Sequence, residues 1–297
     1  MTTYDTLDVP VPGGLLRVGR WTASDPGAPV VLAAHGVTGN HRCWQTLAAL
    51  DRCTVVAPDL RGRGRSGGLE GPAGMDRHAD DLLAVLDHLE LPAPLVLGHS
   101  MGGFVAAAFG ARHPDRGSGA VLVDGGLPLP GPPEGTTPEE ALNATIGPAA
   151  RRLTMTFGSL EEYLDFWRPH PAFAGAWTPE VEDYLAYDLD GDRSSVSLAA
   201  VRDDSADLLD ADGAAVRVAA LPEGTVFLRA PAGMLGDPGG LYPAEAVAEH
   251  LRALPGLVAR DVPGTNHYTI VLGEAGARAV ADALDEVRLP VSVRLDP

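Results

Sequence analysis

The chain opens on two runs of alternating apolar and polar residues, Leu7 to Val11 and Leu15 to Trp21, which Pro12-Gly13-Gly14 separates. Period-two alternation around a glycine turn predicts a β-hairpin. After Trp21 the period changes. The short apolar runs Val30 to Ala34, Thr54 to Ala57, Leu95 to Leu97 and Ala120 to Val123 predict strands buried on both faces. Between them, helices are predicted around Trp44 to Leu50, from about Met75 to Leu89, and along the alanine-rich stretch Phe104 to Ala111. In the second of these, Leu82, Leu83, Val85, Leu86 and Leu89 share one face, with Asp80, Asp81 and Asp87 opposite. Buried strands alternating with helices predict an α/β protein whose parallel sheet is covered on both sides.

The alternation stops at Gly125 through Pro133, and strand-like runs resume only at Thr225-Val226-Phe227-Leu228. The interval reads as helical. Thr137-Pro138-Glu139-Glu140 and Thr178-Pro179-Glu180 each set a capping residue before a proline at the first helical position, and Ser159 to Glu162 fits a capping box. Phe157, Tyr163, Phe166, Trp167, Phe173, Trp177, Tyr184 and Tyr187 crowd this interval, in a chain only 5% aromatic. A lid of about four helices over residues 128–218 is therefore expected, inserted into a core formed by 1–127 and 219–297. Beyond it, a helix Ala244 to Leu254, a strand Leu257 to Asp261 and a final helix Ala275 to Val287 are predicted. The tail Arg288 to Pro297 alternates but has no evident destination.

Three loops carry chemistry. Ser100 stands at the centre of Gly98-His99-Ser100-Met101-Gly102-Gly103, between a strand and a helix. A serine forced onto so sharp a turn needs small residues two before and two after it. His35-Gly36-Val37-Thr38-Gly39-Asn40 follows the strand Val30 to Ala34 and can present a backbone N–H to an oxyanion. Gly264-Thr265-Asn266-His267-Tyr268 sets a histidine near the C-terminus. A serine hydroxyl needs a base to become nucleophilic, and His267 is the candidate, with the chain order serine, acid, histidine. Asp124, at the end of the Ala120 to Val123 run, and Asp237, in the loop beyond Val226-Phe227-Leu228, compete as the acid.

With these motifs, and with Asp59-Leu60-Arg61-Gly62-Arg63-Gly64-Arg65-Ser66, the sequence resembles the α/β-hydrolase superfamily from about His35 to His267. The resemblance implies the α/β-hydrolase fold: an eight-stranded, mostly parallel sheet flanked by helices, with a helical lid inserted after the sixth strand. It also implies a triad of Ser100, His267 and an acid, with the N–H groups of Val37 and Met101 as oxyanion hole and no cofactor. The superfamily's commoner acid lies in a tight G-x-x-D turn after the later strand, where this chain has Ala230-Pro231-Ala232-Gly233. Some branches use the end of the strand beside the nucleophile strand instead, so Asp124 is preferred and Asp237 is the alternative. Trp44, Trp167, Trp177 and Tyr268 are candidate walls for a small hydrophobic substrate. The implied activity is hydrolysis of an ester, lactone or thioester. Carbon-carbon bond hydrolysis, cofactor-free perhydrolysis of the haloperoxidase type, and a slow-turnover ligand receptor are the alternatives.

Composition narrows the partners. Forty acidic against 22 basic residues leave a formal charge of -18, which disfavours nucleic acid and anionic membranes. All of the basic residues are arginines, so Schiff-base and P-loop lysine chemistry are excluded. Gly62-Arg63-Gly64-Arg65-Ser66-Gly67 satisfies G-x-G-x-x-G but runs into a loop rather than a helix, which speaks against a dinucleotide site. Its arginines are expected to bond loop carboxylates and carbonyls, Asp59 among them. Cys43 and Cys53 have neither disulfide nor metal-ligand spacing, no metal site is evident, and both thiols are expected reduced and buried. Without a signal-like start or a run of roughly 20 apolar residues, the expectation is a cytoplasmic protein, monomeric or homodimeric.

Overall fold

Strands β1 (Thr3–Val11) and β2 (Gly14–Thr22) pair antiparallel, with Val11 opposite Gly14. Pro12 and Gly13 make the turn, and Gly13 takes the left-handed φ of 100° that favours glycine. Next come β3 (Val30–Ala34), β4 (Thr54–Pro58), β5 (Leu95–His99) and β6 (Gly119–Val123). A small hairpin of β7 (Leu189–Asp190) and β8 (Arg193–Ser194) stands apart, followed by β9 (Val226–Arg229) and β10 (Val258–Asp261). This computed structural model describes residues 1–130, 135–136, 140 and 151–288. Eight strands form one sheet in the order β1-β2-β4-β3-β5-β6-β9-β10, parallel from β4 onward.

The apolar runs are buried on both faces because helices cover both. Val31, Ala33, Val55, Ala57, Leu97, Val121 and Leu228 point to the side of the C-terminal helix, while Leu32, Ala34, Val56, Val96, Leu122 and Phe227 point to the other. That second side is covered by α1 (Met75–His88) and α2 (Met101–Arg112). Between β6 and β9 lie α3 (Leu160–Trp167), α4 (Pro179–Asp188), α5 (Leu198–Leu208) and α6 (Ala211–Ala219). Ser159 caps α3 by accepting the Glu162 N–H at 3.1 Å, and Thr178 caps α4 by accepting that of Val181 at 3.3 Å. The cap at Thr137 to Glu139 and the tail after Arg288 lie outside the described residues. Helices α7 (Ala244–Ala253) and α8 (Glu274–Arg288) complete the chain, and none of the described helices is long and apolar enough to cross a membrane.

Three sequence expectations change. The interval expected to be helical contains the hairpin β7–β8, which turns at Gly191 with φ 63°. The helix expected over Trp44 to Leu50 is two single turns, His41–Trp44 and Gln45–Ala48, ended by Asp51 at φ 58°. Asp81, expected on the polar face of α1, is buried. Arg61 makes this possible by bonding both its oxygens at 3.0 Å, leaving no charge unpaired.

His35, just past β3, and His99, the last residue of β5, follow the same logic of burial. The Nδ1–H of His35 donates to Gly36 O at 2.8 Å and its Nε2 accepts the Leu60 N–H at 2.9 Å, so a neutral ring satisfies both neighbours. Burial pushes the His35 pKa down to about 3 and, together with the nearby His267, pushes that of His99 down as well. An unfolded chain, with these groups near 6.5, binds more protons than the folded one below that pH, so stability must fall as pH falls from 7 toward 4. For His35 alone the loss at pH 5 is about 2 kcal/mol, and His99 adds in the same direction. Urea unfolding at the two pH values checks this, and coincident midpoints would contradict it.

The turn from β5 into α2 is the most crowded point of the sheet edge. A Cβ on Gly98 would stand 2.0 Å from Gly102 O, and one on Gly102 would stand 2.0 Å from Ala34 O. Both obstacles are backbone, which cannot rotate away. Gly102→Ala is accordingly expected to cost about 2 kcal/mol or more in stability. Gly68→Ala, where a Cβ meets nothing within 4 Å, is expected to change it by less than about 0.5 kcal/mol. Thermal unfolding of the two variants decides, and equal losses would contradict the crowding.

Candidate active site

Ser100 occupies the turn between β5 and α2 with φ 54° and ψ -124°, a conformation that L residues rarely adopt. Its N–H donates to Val123 O at 2.9 Å and its carbonyl accepts the Gly103 N–H at 2.9 Å. Beneath it runs the turn after β6. A Cβ on Gly125 would lie 2.1 Å from Ser100 O, so glycine lets the two turns touch. Asp124, also left-handed at φ 46°, is fully buried there. Its N–H donates to Leu228 O at 2.7 Å and its Oδ1 accepts the Ala230 N–H at 3.1 Å, leaving Oδ2 to face the loop after β10.

That loop presents His267. Asn266 Oδ1 accepts the N–H groups of Tyr268 and Thr269, both at 2.9 Å, while its Nδ2 donates to Ala172 O at 2.8 Å. His99 Nε2–H holds the His267 carbonyl at 2.8 Å. The imidazole is left in one orientation. Its Nδ1–H donates to Asp124 Oδ2 at 2.7 Å, and its Nε2 accepts the Ser100 hydroxyl at 3.0 Å. Both lengths lie within the reach that proton transfer requires. Asp237 stands elsewhere: exposed on the loop after β9, it accepts the Leu235 N–H at 3.3 Å.

Ser100 and His267 open onto a cavity of about 30 Å³. Gly36, Val37, Cys43, Tyr184, Met234, Tyr268 and Leu272 are among its walls. At its serine end, the amides of Val37 and Met101 have no hydrogen-bond partner among the described residues. Met101 is the first residue of α2, where an N–H has no intrahelical acceptor.

The expected wall of tryptophans is not there. Trp44 is fully buried in the core between the sheet and α8. Trp167 is turned into a cluster with Phe166, Phe173 and Tyr268, under the Arg152 guanidinium 5.0 Å from its ring. Trp177 meets Phe173 edge-on and donates its Nε1–H to Glu182 at 3.0 Å. Aromatic faces satisfy one another within the insert, and of the four residues proposed only Tyr268 reaches the cavity. Cys43 and Tyr184 take the wall positions instead, and burial raises both their pKa values, keeping thiol and phenol neutral. Tyr184 belongs to the aromatic interval, but only the docking of α4 decides which aromatic turns inward.

Asp59 bonds no arginine side chain among the described residues. It accepts the ring and backbone N–H of His41 at 2.7 and 2.9 Å, the Arg65 N–H at 2.9 Å and the Tyr187 hydroxyl at 2.8 Å. Burial opposes its ionisation, yet the His41 contacts bring its pKa down to about 2. The arginine side chains go further afield, Arg61 to Asp81 and Arg63 to Asp204.

A profile of the family described as alpha/beta hydrolase fold matches residues 29–149, a span that includes Val37, Ser100 and Asp124 and stops before His267. The lipase LipV of Mycobacterium tuberculosis is 39% identical over 117 residues, covering 39% of this chain and 44% of LipV. The bifunctional esterase/perhydrolase DCH of Acinetobacter calcoaceticus is 39% identical over 106 residues, covering 34% of this chain and 38% of that enzyme. The chain thus spans less than half the length of each of these curated relatives. It superimposes on E-2-(acetamidomethylene)succinate hydrolase with a TM-score of 0.74 at 21% identity, covering 95% of this chain and all of that one. Strand order, elbow and family profile agree: the chain has the α/β-hydrolase fold, with residues 29–149 matching the profile of that family.

Proposed function

We propose that the protein is a serine hydrolase cleaving an ester, lactone or thioester of a small hydrophobic molecule through an acyl-enzyme. The observation that carries this reading is the relay of two hydrogen bonds, Ser100 to His267 at 3.0 Å and His267 to Asp124 at 2.7 Å, facing the cavity. Asp124 fixes the Nδ1–H tautomer, so Nε2 is the nitrogen that takes the serine proton. Ser100 Oγ then attacks the carbonyl carbon, and the oxyanion forms against the N–H groups of Val37 and Met101. One such donor stabilises the transition state by about 3 kcal/mol. The proton on His267 passes to the departing alcohol or thiol, and a water deprotonated by the same nitrogen releases the acid.

Residues 128–218 act as a lid on this reading, over a core of 1–127 and 219–297. Binding pockets for small molecules commonly hold roughly 300 Å³ or more, so the inserted helices must shift for all but the smallest acyl groups to enter. Tyr184 and Tyr268 offer the substrate an apolar ring with a polar end. The likeness to an esterase/perhydrolase supports one variation, in which hydrogen peroxide replaces water on the same acyl-enzyme.

Hydrolysis of p-nitrophenyl butyrate tests the assignment. Ser100→Ala, His267→Ala and Asp124→Asn are each expected to lower kcat by roughly a thousandfold or more, and Asp237→Asn to leave it within about twofold. A loss confined to Asp237→Asn would move the acid. Absence of turnover by the folded wild type across esters and thioesters would overturn the function.

A further inference from the structure

The loop from Asp59 to Gly67 takes no direct part in the proposed chemistry, yet it places Arg63 against both residues whose amides would receive the oxyanion. Arg63 is fully buried. Its Nε–H donates to Val37 O at 2.8 Å, its Nη1 donates to Arg61 O at 2.8 Å, and its Nη2 lies 3.8 Å from Met101 Sδ. The same Nη2 stands 2.5 Å from Asp204 Oδ2 in an ion pair from which solvent is excluded. Asp204 belongs to α5 in the insert, and its other oxygen accepts the Gly74 N–H at 2.7 Å and meets His78 Nε2 at 2.9 Å. Only a planar fork of donors can serve a carbonyl on one edge and a carboxylate on the other.

The neighbouring contacts run the same way. Ser197, which caps α5, donates its N–H to Gly62 O at 2.8 Å, and a Cβ on Gly62 would meet that of Ala200 at 2.4 Å. Arg152 donates to Thr38 O at 2.9 Å while its Nε reaches Asp188 at 3.1 Å, and Asn40 Nδ2 donates to Tyr184 O at 3.1 Å. Val37, Thr38 and Asn40 are thus each tied, directly or through one arginine, to the insert.

We infer that Arg63 is a positioning residue for the oxyanion-binding amides, and that its ion pair with Asp204 makes their alignment depend on the docking of α5. Resting on the acyl-enzyme reading above, this predicts an effect on the transition state rather than on substrate binding. Arg63→Lys retains the charge that Asp204 needs but cannot reach Val37 O and Arg61 O together. With p-nitrophenyl butyrate its kcat is expected to fall tenfold or more while KM stays within twofold. The affinity for an alkyl boronic acid, whose serine adduct is tetrahedral, should fall by the factor seen in kcat. Asp204→Asn, which keeps an acceptor for Gly74 and His78 while removing the charge that holds Arg63, should show the same split, and it decides the matter if Arg63→Lys does not fold by circular dichroism. Folded variants with wild-type kcat and boronate affinity, or with a loss confined to KM, would overturn the inference alone. A wild type that neither hydrolyses the ester nor binds the boronate would overturn the acyl-enzyme reading, and this inference with it.

Discussion

Everything at the site depends on three stretches of backbone approaching more closely than any side chain allows. The ends of β3, β5 and β6 meet where Gly102 faces Ala34 O, Gly98 faces Gly102 O and Gly125 faces Ser100 O, each at a distance where a Cβ would overlap. This crowding holds Ser100 and Asp124 at positive φ, a strain that persists only because the surroundings leave no other arrangement. A hydroxyl held this way is already paid for in conformational entropy. The strain therefore sits on the serine and on the aspartate whose carboxylate meets His267.

Around this point, charge is placed with equal economy of space. Asp59, Asp81 and Asp204 are all buried, and each is matched by a histidine or an arginine. A buried pair adds little net stability over an apolar one, but removing a partner leaves an uncompensated charge. Such pairs specify geometry. Here they join the loop after β4, the loop after β3 and helix α5, so that the insert and the serine end of the cavity share one frame of hydrogen bonds and an ion pair.

The parts of this arrangement differ in how far the sequence reveals them. The elbow is legible because its glycines answer a steric demand that is local in the chain, and the strands are legible because burial on both faces leaves wholly apolar runs. Asp124 and Asp237 cannot be separated by periodicity, since meeting an imidazole 143 positions away is a matter of tertiary approach. Trp44, Trp167 and Trp177 mislead for a related reason: aromatic residues at helical spacing announce a buried face without saying whether a cavity or another ring lies opposite. Asp81 looks solvated until Arg61 is brought beside it by the fold. The hairpin β7–β8 has a local signal, Asp190-Gly191 with Gly191 at φ 63°, but its strands are two residues each, too short for a period-two pattern to show.

The claim at the centre is that Ser100 is the nucleophile. Mass spectrometry of the intact protein after treatment with a fluorophosphonate, followed by cleavage at arginine, tests it most directly. The expected result is one adduct per chain, carried by the peptide His78–Arg112 and located on Ser100. An adduct on another residue, or none on protein shown to be folded, would contradict it.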